Sequence, residues 1–67
     1  MRYFFNEQDE RNIIDAIGRE FGNDSEAVKY AKHLAADLRC LQAVERPHLT
    51  IEVLSRDTIV HREMVFG

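Results

Sequence analysis

The sequence predicts a single α+β domain, residues 1–67, in which one amphipathic helix packs on a small antiparallel sheet. Two observations carry that prediction. Ala27, Ala31, Leu34, Leu38 and Leu41 recur at spacings of four, three, four and three, and at 100° per residue they fall within ~80° of arc, one stripe of a helix. From His48 to Leu54 the pattern changes period: Leu49, Ile51 and Val53 alternate with Thr50 and Glu52, as a half-buried strand requires.

The chain opens on Arg2-Tyr3-Phe4-Phe5, an aromatic run of strand-forming type near residues 2–6, with Tyr3 and Phe5 on one side and Phe4 on the other. The polar stretch Asn6 to Asn12 reads as a turn or loop. Ile13 to Phe21 fits two readings. Ile13, Ile14, Ile17 and Phe21 share one side of an ideal helix, but Gly18 would sit inside it at a cost of ~1 kcal/mol relative to alanine; a strand, a turn at Gly18 and an extended Glu20-Phe21 fit equally. The helix that follows is expected from about Asp24 to about Gln42. Asn23 is its N-cap and Glu26, three positions on, completes a capping-box-like pair. Tyr30 and Ala35 flank the apolar stripe, Lys29, Lys32, Ala36 and Arg39 lie opposite, and Pro47 guarantees that the helix has ended. The strand at 48–54 is followed by the turn-like Ser55-Arg56-Asp57-Thr58 and a returning strand near 59–66. In that last strand Val60, Met64 and Phe66 share a register with Arg62, while Ile59 and Val65 share the other with His61 and Glu63. Either the face away from the helix is apolar, or the strand twists or bulges so that its two halves bury different registers. The expected core is Leu34, Leu38, Ile51 and Val53 with Tyr3 or Phe5.

Composition narrows the function classes. A chain of 67 residues with 45% hydrophobic and 31% charged residues is globular in character and near the lower size limit for folding unaided. One cysteine, Cys40, excludes an internal disulfide, which leaves self-association as the natural way to add burial. The absence of a basic, apolar leader pattern and of any long apolar run points to the cytoplasm, with no membrane involvement. Twelve acidic against nine basic residues, a formal charge of −3, argue against generic nucleic-acid binding, which draws its affinity from neutralising phosphates.

The candidate chemical sites are few. His33, Asp37 and Cys40 share one edge of the helix, but seven residues separate His33 from Cys40 by roughly 10 Å of rise, too far for a nucleophilic pair. Adding Glu26 as a ligand gives no recognised zinc spacing. His48 and His61 lie on the C-terminal hairpin, where they would meet across the strands; without a third ligand they read as ordinary strand residues. Cys40 reads as a semi-buried, inert thiol. Tyr3, Phe4 and Phe5 resemble the base-stacking aromatics of RNA-binding sheets, but with only Arg2 beside them core packing is the better use. No catalytic residue, metal or cofactor is expected, and no small-molecule substrate is identifiable.

Arg2-Tyr3-Phe4-Phe5, then Asp15-x-x-Gly18-x-Glu20-Phe21, Ala27-x-x-x-Ala31 in a capped helix, an Ile51-Glu52-Val53 strand and a closing Phe66 occur in this order. The whole resembles a family of short alphaproteobacterial proteins, common in rhizobia, that begin Arg-Tyr-Phe-Phe and form a domain of unknown function. The resemblance implies β-β-α-β-β order with a four-stranded sheet, which favours strand and turn over helix for Ile13 to Phe21, and it implies no activity. The chain departs from the family's pattern at two turns: no glycine stands between Asn6 and Asn12, and none near Thr58. The functional expectation is a non-enzymatic protein-interaction or regulatory module, a homodimer or a binder of another protein. The alternative is a nucleic-acid-associated or antitoxin-like module, by analogy of fold.

Overall fold

A computed structural model describes residues 1–42 and 47–66, with only the backbone of Leu41 and Gln42. Along the chain come β1 (Arg2–Gln8), β2 (Asn12–Ile13), β3 (Arg19–Glu20), α1 (Asp24–Gln42), β4 (Thr50–Ser55) and β5 (Thr58–Met64). The sheet is antiparallel throughout, in the order β2-β1-β4-β5, with β3 also paired to β1. β2 lies opposite Glu7 and Gln8, and β3 opposite Arg2 and Tyr3. The two short strands thus divide one edge of β1 between them, and the other edge pairs with β4 from Tyr3↔Ser55 to Gln8↔Thr50.

The α+β class, the helix limits and the hairpin agree with the sequence. The first half of the chain differs in two ways. β1 runs on through Gln8, so the turn expected over Asn6 to Asn12 shrinks to Asp9, Glu10 and Arg11. No glycine is needed there because Asp9 closes the turn with its own side chain: its Oδ1 accepts from the Arg11 N–H at 2.8 Å, and its N–H donates to the Arg11 carbonyl at 3.1 Å. Over 13–21 the strand-and-turn reading holds, but as two short strands, β2 and β3, on either side of a loop, so the sheet has five strands where four were expected.

Asp15 is the reason the edge can break there. Its Oδ2 accepts from the Phe5 N–H of β1 at 3.1 Å, and its own N–H donates to Asn6 Oδ1 at 2.9 Å. Its Oδ1 accepts from the N–H groups of Ile17 and Gly18, at 3.1 and 3.0 Å. One side chain therefore replaces the missing ladder bonds, as buried or edge backbone donors demand. Gly18 then turns the chain into β3 at φ 75°, where a Cβ would stand 2.8 Å from the Tyr3 carbonyl oxygen and 2.9 Å from the Phe4 ring. No other residue type fits both that conformation and that approach.

α1 begins as its sequence demands. Asn23 Oδ1 accepts from the Glu26 N–H at 2.9 Å, while the Glu26 carboxylate reaches back to the Gly22 N–H at 3.4 Å, one residue earlier than in the standard capping box. The helix buries Ala27, Ala31, Ala35 and Leu38 against Tyr3, Phe5, Leu49, Ile51, Val53 and Val65. Both Tyr3 and Phe5 enter the core. Leu34 is half-buried at its margin, and Ala35, expected as a flank, is fully covered; the stripe has rotated towards β5. Two bonds fix that rotation: Lys32 Nζ to Glu63 at 3.0 Å, and Arg39 Nη1 to the Val65 carbonyl at 2.8 Å. The expected burial of Leu41 concerns a side chain outside the described residues. Of the Ile13 to Phe21 segment only Phe21 reaches the interior, where its ring lies 6.1, 6.0 and 5.4 Å from those of Tyr3, Phe5 and Tyr30.

In β5 the mixed pattern is settled largely by a bulge. Val53 pairs with His61 but Leu54 pairs with Ile59, so Val60 is the extra residue and packs against the core. Beyond β5, Val65 donates to the Leu49 carbonyl and is completely buried. Ile59 and Met64 are left outside, 38% and 61% exposed.

Candidate interaction surface

Alternation along the strands sends Phe4, Asn6 and Gln8 of β1 away from the helix, together with Thr50, Glu52 and Leu54 of β4. The register adds Ile59, Arg62 and Met64 of β5. α1 occupies the opposite side, so this face of the sheet carries no helix. Its middle is polar. Glu52, on the central strand, has a side chain only 10% exposed and accepts from Arg62 Nε at 3.2 Å. Phe4 and Leu54 lie half-buried at one end beside Ile59, and Met64 stands at the other.

The two ends differ in their lining. At the start of β1 a groove of about 300 Å³ is bounded by Met1, Arg2, Phe4 and Arg56. Arg2 is held in place by donating to the Ile17 carbonyl at 2.7 Å. Arg56, in the β4–β5 turn, adopts φ 59°, the left-handed region that favours glycine. At the far end an open depression of about 410 Å³ is lined by Asp9, Glu10, His48, Thr50, Glu52 and Arg62 among others. This face therefore carries partial apolar cover at its two ends around a polar middle.

A second exposed feature lies at the edge. Ile13, Ile14 and Ile17 are 46%, 66% and 79% exposed on the loop that Asp15 pins. Sequence periodicity allowed these residues one side of a helix as well as a strand and turn. What it missed was the hydrogen-bonding power of Asp15, which stabilises an extended loop without burying its neighbours.

The sequence-level candidates scatter. His33, Asp37 and Cys40 are all exposed on α1, and Cys40 is therefore more open than the semi-buried thiol expected. His48 borders the depression on the open face. His61 points to the helix side, in register with Val53, and bonds to Glu63 at 2.8 Å, so the two histidines do not meet across the hairpin. Among the described residues no group of three or more His, Cys, Asp or Glu side chains is placed to hold a metal ion.

The shifted titrations belong to structural contacts. The hydroxyl of the fully buried Tyr3 donates to Asp24 at 2.5 Å, and that bond to a carboxylate, with burial adding, pushes its pKa up to about 12. Burial draws the Asp15 carboxyl upward, but the donors from Gly18, Phe5 and Ile17, with Arg2 nearby, outweigh it and hold the group below its ordinary value. The bond from His61 lowers Glu63 against the effect of burial, and Lys32 assists.

A family model described as a domain of unknown function, DUF6894, matches residues 2–63. The chain belongs to that family. The DUF6894 match spans the helix and every strand except the last residue of β5. No curated protein and no solved structure matches the chain. Among the described residues no helix is long and apolar enough to cross a membrane.

Proposed function

We propose that this DUF6894 domain is a non-catalytic binding module of the cytoplasm that works by association, and that the occupant of its open sheet face is a second copy of itself. The observation that carries this reading is the placement of Phe4, Leu54, Ile59 and Met64 on a face that the domain's own helix leaves bare. A domain this small also gains from burying more surface than its own core provides. A non-catalytic role is supported by the use of Tyr3, Asp15 and Glu63, whose shifted titrations come from bonds that hold the fold together.

Sedimentation velocity across the micromolar range tests the reading. The wild-type chain is expected to shift from monomer towards dimer with concentration, and Ile59→Glu to remain monomeric with an unchanged circular dichroism spectrum. A wild-type chain that stays monomeric at several hundred micromolar, or one that binds a single-stranded oligonucleotide as a monomer through the Arg2–Arg56 end, would overturn it.

A further inference from the structure

We draw no further inference here: the strongest candidate, the exposed apolar patch that Ile13, Ile14 and Ile17 form at the end of β2 and on the loop leading to β3, carries nothing because nothing in the structure shows what covers it.

Discussion

Asp15, half-buried in the loop between β2 and β3, does more for the fold than its place in the sequence suggests. It accepts from three backbone N–H groups and bridges β1 to the β2–β3 loop. Asp15→Asn keeps the shape but turns an amide donor towards at least one of those N–H groups, which should cost about 1–3 kcal/mol at neutral pH by leaving a donor unmatched. The pH dependence has a definite sign. A carboxylate held below its ordinary value of 3.8 contributes stability that is complete above that value and is lost as pH falls through the lowered folded one. Glu63, held below 4.5 by His61 and Lys32, acts in the same direction. Urea unfolding between pH 7 and pH 2 should show wild type losing stability on acidification more steeply than Asp15→Asn. Parallel curves for the two proteins would show that the Asp15 bonds contribute nothing to the folded state. Tyr3 has the opposite sense: raised from 10.0 to about 12, its contribution is complete below pH 10 and fades as pH rises towards 12.

At the scale of elements, the helix and the hairpin carry the core. Leu38 is 8% exposed at the foot of α1, packed with the core that includes Leu49, Ile51 and Val65. Leu38→Ala should cost roughly 2–5 kcal/mol in urea unfolding, a large part of the stability of so small a domain; a loss under about 0.5 kcal/mol would mean that α1 bears on the sheet elsewhere. These elements were legible in the sequence because their patterns are local. Asn23 and Glu26 mark the helix start, and Leu49, Ile51 and Val53 can bury only as alternate residues of a strand. The divided edge was not legible. Ile13, Ile14 and Ile17 look like a buried face, yet a side-chain carboxylate nine residues from Asn6 and ten from Phe5 decides the path of the chain. No periodicity encodes a contact of that kind. The bulge at Val60 was visible only as conflict, since β5 is apolar in both registers and a regular strand can satisfy just one. The candidate surface was half legible for the same reason: Ile59 and Met64 were suspect residues, but the grouping of Phe4 and Leu54 beside Ile59 emerges only when β1 and β4 are set antiparallel.

At the scale of the whole molecule, the one helix among the described residues and a sheet of this size make an interior on one side only. Alanines at 27, 31 and 35 let α1 sit close to β4 and β5, which tightens that interior and leaves the outer face of the same strands to solvent or to a partner. Association through that face is the central claim, and a dilution series of two-dimensional amide NMR spectra tests it residue by residue. From millimolar to ten micromolar, resonances of Phe4, Asn6, Glu52, Leu54, Ile59 and Arg62 should move together along one binding curve, with those of Ile14, Ile17 and the exposed helix residues His33 and Asp37 unmoved. Shifts confined to the Ile13–Ile17 loop, or no concentration dependence anywhere, would contradict the account.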